Sequence, residues 1–152
     1  MPHHHERRAL PHSAAQMYDL VADVRSYSEF LPWVSAVRVR EDSETEMLAD
    51  LVVGFKSLRE KFSSRVMKTP KSAIIVDYLD GPMKHLHNQW LFEDLPDGGS
   101  IVDFTVDFSF RNAMFEMLAG QFFDSALRKM TAAFIDRADA LYGVEGSNSS
   151  SA

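Results

Sequence analysis

A chain of 152 residues with 22 Asp and Glu against 16 Lys and Arg carries a formal charge of −6. That balance weighs against indiscriminate attraction to phosphate backbones or anionic lipid and makes DNA an unexpected partner. There is no cysteine, which excludes disulfides, thiolate metal sites and a cysteine nucleophile. Hydrophobic residues at 45 %, never in an unbroken run of eighteen, suit one globular domain and no membrane-spanning helix.

His3, His4 and His5 have the look of a purification-tag fragment, yet they run straight into Glu6-Arg7-Arg8-Ala9-Leu10. The whole stretch reads as a first, edge-like strand ended by Pro11. Ser13 is an N-cap candidate for a helix from Ala14 to about Val24, with Met17, Leu20, Val21 and Val24 on one face. Arg25 to Phe30 is a short helical or irregular step, stopped by Pro32. Phe30, Leu31, Pro32 and Trp33 are an apolar cluster where a connection is normally polar. Two readings stay open here. The cluster folds inward and plugs one end of the core, or it forms a partly exposed lip, a gate that touches membrane or ligand.

Strands follow. Val37 and Val39 alternate with Arg38 and Arg40, and Met47, Ala49, Leu51, Val53 and Phe55 share one face. A turn near Lys56-Ser57 leads to Leu58, Phe62 and Val66, which alternate with Arg59, Lys61 and Arg65. Thr69-Pro70-Lys71 turns the chain into a short apolar strand, 72–79, and Asp80-Gly81-Pro82 turns it again. Leu86, Asn88, Trp90 and Phe92 face one way, with His85, His87 and Gln89 opposite. Pro96-Asp97-Gly98-Gly99 makes a hairpin connection. Val102, Phe104, Val106, Phe108 and Phe110 then alternate with Asp103, Thr105, Asp107 and Ser109. Such regularity is that of an antiparallel sheet with one wet face.

From Asn112 to Tyr142 the period changes. Phe115, Leu118 or Ala119, Phe122, Ala126, Met130, Phe134, Ala138 and Leu141 recur at three- and four-residue steps, with Asn112 as N-cap and Gly143 just beyond the end. About thirty residues at ~1.5 Å each make a rod of roughly 45 Å, which needs a broad apolar partner. The order is an α+β one: a strand, one or two short helices, about six antiparallel strands, a long helix. A sheet curled around one helix satisfies it. A dimerising coiled coil is the alternative, weakened by Phe and Ala where branched residues belong at heptad spacing. Residues 1–143 are expected to be a single domain and 144–152, rich in Ser, a disordered tail.

Several segments together resemble a known family. They are Leu20-Val21-Ala22-Asp23-Val24 with Tyr27, Phe30-Leu31-Pro32-Trp33, Phe62-Ser63-Ser64-Arg65-Val66, and Gly81-Pro82-Met83-Lys84-His85-Leu86 followed by Trp90 and Phe92. The sequence looks like the START-like, helix-grip superfamily of polyketide cyclases and lipid-transfer domains. More specifically it resembles the coenzyme-Q-binding START-domain family and the related bacterial ribosome-association toxins (RatA family), over the chain up to about Gly143. The resemblance implies a curved antiparallel sheet of about six or seven strands wrapped around the long helix, with a deep apolar cavity beneath it. It implies ubiquinone or a similar prenyl lipid held there as a ligand rather than a catalytic cofactor, in support of cellular respiration. The toxin family implies a different partner, the large ribosomal subunit, and a block of subunit association. With neither signal region nor transit sequence in view, the expected place is the cytoplasm, in peripheral contact with the cytoplasmic face of the inner membrane.

Burying apolar surface is worth roughly 25 cal/mol per Å², so a polyprenyl tail needs a long greasy groove more than polar contacts. Candidates for such a groove are Val53, Phe55, Phe62, Leu86, Trp90, Phe92, Val106 and Phe108 from the strands, and Phe115, Phe122, Met130 and Phe134 from the helix. The same side chains can instead fill each other's space. Glu60, Ser64 and Asn88 fall on the same face. A buried carboxylate or amide needs partners, so these lie at the sheet's rim or bond the oxygens of a head group. No serine elbow or glycine-rich phosphate loop forms a catalytic set, and no enzyme activity is expected. His85 and His87 share an outward face with no carboxylate expected beside them, so no metal site is expected either. For a ribosomal partner the candidates are Arg38, Arg40, Lys56, Arg59, Lys61 and Arg65 on neighbouring strands.

Overall fold

The computed structural model describes residues 3–31, 33–55, 58–81 and 83–143. In chain order the elements are β1 (His3–Leu10), α1 (Ala14–Ala22), a 3-10 turn (Val24–Ser26), α2 (Tyr27–Phe30), β2 (Val34–Asp42), β3 (Glu46–Phe55), β4 (Leu58–Thr69), β5 (Ala73–Asp80), β6 (Met83–Asp94), β7 (Ser100–Phe110) and α3 (Ala113–Tyr142). The strands form one antiparallel sheet in the order β1-β7-β6-β5-β4-β3-β2. This is the expected α+β, helix-grip arrangement. Strands β2 to β7 are joined in sequence, while β1 closes the far edge by pairing along β7, with Leu10 opposite Ser100 and His3 opposite Asp107.

Local signals account for most boundaries. Ser13 caps α1 with a capping box: its hydroxyl accepts from Gln16 N–H, and the Gln16 side chain accepts from Ser13 N–H. The helix stops at Ala22 rather than at Val24, because Asp23 leaves helical geometry (φ −82°, ψ 67°) and accepts the Ser26 hydroxyl. Asn112 accepts Met114 N–H at 2.8 Å, as an N-cap does, and Gly143 ends α3 in the left-handed region (φ 81°). Gly81 is required by its surroundings. A Cβ there would lie 2.8 Å from the Phe62 Cβ, so the β5–β6 turn packs directly onto β4.

The concave face carries the core. Met47, Ala49, Val66, Ile74 and Phe92 from the sheet meet Met17, Leu20 and Val21 of α1 and Phe134 and Ala138 of α3. Polar tethers hold both ends of α3. Near its start, Glu116 accepts Phe110 N–H at 2.6 Å and the Ser109 hydroxyl at 3.0 Å. Near its end, Asp139 pairs with the buried His12 at 2.8 Å, and Arg137 pairs with Glu29 at 3.1 Å. Between the tethers the packing is uneven. The last turns around Ala138 are sealed, while Phe122 and Phe123 are half-buried and Met114 and Met117 stand 62 % and 64 % exposed.

Candidate functional site

A half-open cleft of about 40 Å³ lies where α3 crosses the β1 edge of the sheet. Trp90 of β6 and Val102 and Phe104 of β7 form its floor, and Met17 of α1 closes one side. Met130, Thr131, Phe134 and Ile135 of α3 roof it. The rings interlock: Trp90 lies 4.2 Å from Phe104 and 5.3 Å from Phe134, centroid to centroid. The remaining wall is β1, which contributes Leu10, Arg8 and Glu6. These positions face inward because Arg8 pairs with Val102 and Glu6 with Phe104 across the ladder.

The β1 wall is the polar one. Arg8 donates from Nε and Nη2 to the Glu6 Oε2 at 2.8 and 2.7 Å, and His4 Nε2 lies 3.0 Å from the Glu6 Oε1. Burial pushes the Glu6 carboxyl up, but the bonds from His4 and Arg8 outweigh it and hold the group below its ordinary value. The row continues beside the unsealed half of α3. His4 meets the Phe123 ring edge-on at 6.3 Å, and Phe123 in turn packs on Phe108 at 5.3 Å.

Of the candidates read from sequence, the cleft brings together Trp90, Met130 and Phe134. Phe108 and Phe122 are half-buried at the unsealed end, where Leu86 pairs with Phe108 across the ladder and Val106 is buried on the floor. Phe92 belongs to the solid core, edge-on to Tyr18 at 5.8 Å. Val53 and Phe62 lie on the far strands β3 and β4, where Val53 packs against the core opposite Glu60. The side chains of Phe55 and Phe115, with Pro32 and Lys56, fall outside the described residues.

The polar candidates separate. Ser64 is not at the rim: it is 2 % exposed between Ala49 and Tyr78, and its hydroxyl has no partner among the described residues. Nor does it line the cleft. Asn88 accepts the Trp90 indole N–H at 3.0 Å and so orients the cleft's floor. Glu60 is half-buried on β4, away from the cleft. The segment read as either a plug or a lip turns inward at Leu31 and Phe30. Leu31 joins the core, and Phe30 packs edge-on to Tyr27 and Phe134 under the Arg137 guanidinium. Tyr27 donates its hydroxyl to the Val21 carbonyl, and burial raises its pKa. Leu31 is thus sealed in the core, while Phe30 and Trp33 stay half-buried beside it.

Sequence reasoning missed Glu6, Arg8, Leu10, Met17, Val102, Phe104, Thr131 and Ile135 as cleft residues. Period two puts His4, Glu6, Arg8 and Leu10 on one face of β1, a face the sequence reading did not single out, and nothing local says that it meets α3. On the outer face, His85 and His87 do have carboxylates beside them, contrary to expectation. His85 pairs with Asp107 at 3.0 Å and His87 with Asp77 at 2.6 Å. No group of three metal-ligating side chains converges among the described residues. Also outward lies a basic cluster around Asp50. The Ser63 hydroxyl at 2.6 Å chiefly, then Arg40, Lys61 and Arg38, hold this buried carboxyl below its ordinary range.

The comparisons with known proteins bear on this geometry. The family described as polyketide cyclase / dehydrase and lipid transport matches residues 10–135. The chain belongs to that family. A ribosome association toxin RatA from Pseudomonas aeruginosa is 37 % identical over 94 % of this chain and 100 % of its own. The mitochondrial coenzyme Q-binding protein COQ10 homolog B of Xenopus laevis is 34 % identical over 91 % of this chain and 58 % of its own. Among solved structures, an 18 kDa protein from Caulobacter crescentus aligns at TM-score 0.75 and 35 % identity over 95 % of this chain and 100 % of its own. An aromatase/cyclase from Streptomyces sp. R1128 aligns at TM-score 0.81 and 18 % identity, covering 94 % and 99 %. At that identity the cyclase shares the START-like fold and no more. The relatives in sequence thus carry names of ribosome association and coenzyme Q binding, whereas the cyclase name belongs to a neighbour in fold. No helix among the described residues is long and apolar enough to cross a membrane.

Proposed function

We propose that the protein is a non-enzymatic binder of an apolar small molecule of the prenyl-quinone type, ubiquinone being the reference case, acting in the cytoplasm. The carrying observation is an apolar cleft between α3 and the sheet that borders a half-buried aromatic surface under the first half of α3. A volume of about 40 Å³ holds two or three water-sized groups, so a ring or prenyl chain enters only as α3 lifts. Its first half is the part with least packing to lose. Each methylene that leaves water contributes ~0.8 kcal/mol, so a chain of several isoprene units offsets the cost of displacing a few half-buried rings. Organic extraction of freshly purified protein, followed by mass spectrometry and by titration with decylubiquinone, tests this. Bound quinone or saturable uptake is expected; empty protein that also refuses decylubiquinone overturns it.

A second reading has its own support. The relative from Pseudomonas aeruginosa named as a ribosome association toxin matches along its full length, and the outer face of β2–β4 groups Arg38, Arg40 and Lys61 around one buried carboxylate. A cationic sheet face of this kind suits ribosomal RNA. Co-sedimentation with large ribosomal subunits, weakened by salt and by Arg38→Glu or Lys61→Glu, is the expected result. Binding indifferent to both would remove this reading.

A further inference from the structure

We infer that Arg8 reads the polar head of the ligand, so that the cleft selects chains ending in a carbonyl or other hydrogen-bond acceptor over plain hydrocarbons. The inference rests on the lipid-binding reading and deepens it. The cleft's floor and roof are apolar apart from Thr131, and the one charged wall is β1, where Arg8 and Glu6 face Val102 and Phe104. A charged pair on the wall of an apolar cleft needs a reason, since it keeps that wall half in water. An edge strand could carry leucine or valine there and seal the cleft instead. Arg8 spends Nε and Nη2 on a single oxygen of Glu6. No partner of its Nη1 appears among the described residues, and the side chain is 48 % exposed. A guanidinium already oriented by a carboxylate, with donors to spare at an apolar cleft, is suited to an acceptor oxygen on a bound ring.

The polarity of the walls also orients the occupant. With the head at Arg8, the tail runs along β7 past Val106 toward Phe108, beneath Phe122 and Phe123 of the unsealed half of α3. Thr131 faces the head from the α3 side, and Glu6 and His4 flank it on β1.

Displacement of the neutral dye Nile red by decylubiquinone and by decylbenzene tests the assignment, because the two competitors share a chain and differ in acceptors. Arg8→Gln is expected to weaken decylubiquinone about tenfold, the loss of one charge-assisted hydrogen bond, and to leave decylbenzene within about twofold. Arg8→Lys recovers part of the loss. Glu6→Gln, which releases the guanidinium from its carboxylate, tightens decylubiquinone and not decylbenzene. If Arg8→Gln weakens both competitors equally, or neither, Arg8 does not read the head. If wild-type protein takes up neither competitor, the lipid-binding reading itself falls and this inference falls with it.

Discussion

The last turns of α3, beyond the cleft, rest on a solid floor. Ala138 is 0 % exposed, Phe134 is enclosed by Tyr27, Phe30 and Trp90, and α1 packs alongside. The first half continues the same apolar stripe yet leaves Phe122 and Phe123 half-buried and Met114 and Met117 in solvent. The difference lies in what stands opposite. The end of α3 faces β6–β7, α1 and α2, whereas its first half has the end of β7 and the start of β1. A helix clamped at one end and lightly covered at the other is what the proposed entry of a ligand requires.

Substitutions can break that contrast. Ile74→Ala, in the solid core, is expected to cost about 2–5 kcal/mol in urea unfolding, because the surrounding sheet cannot collapse into the space. Phe122→Ala should cost clearly less, since its ring is already half in water; equal losses would show that the two regions are packed alike. Overfilling gives the next largest effect. Ala138→Leu should lose about 1–3 kcal/mol, measured the same way.

A smaller effect is expected at the tether of the open half. Glu116→Gln should cost about 1 kcal/mol at neutral pH, the usual worth of such a bond, and speed amide exchange in the first turns of α3 over the last. Phe110 N–H and the Ser109 hydroxyl hold the Glu116 carboxyl below its ordinary value of 4.5. Its contribution is therefore complete above that pH and disappears as the pH falls through the lower folded value. Wild type and variant should converge in acid; a gap that persists there would mean the tether is not the ionised carboxylate. Smallest of all, Met114→Ser should shift stability by less than about 0.5 kcal/mol, because little of that side chain leaves water on folding.

Element types were legible from residue order, and the reasons are local. Period two in β7, the capping box at Ser13, Asn112 as N-cap and Gly143 as terminator each act within a few residues. Boundaries were less so: Asp23 interrupts the helix that the apolar stripe alone would carry to Val24. Among site residues, Trp90, Met130 and Phe134 were visible as inward faces of their own elements. Arg8 and Glu6 were not, because their role depends on β1 lying beside β7, nearly a hundred residues away in sequence. The inward turn of Phe30 and Leu31 was likewise undecided, since a plug and a lip have the same composition.

By itself, then, residue order determined the list of elements, the face each buries and the α+β class, since backbone periodicity and capping are short-range. Tertiary structure alone decided which edge β1 closes, where α3 is sealed and where it is open, and which charges line the cleft. Those outcomes depend on contacts between distant segments, and no local propensity encodes which distant face a side chain will meet.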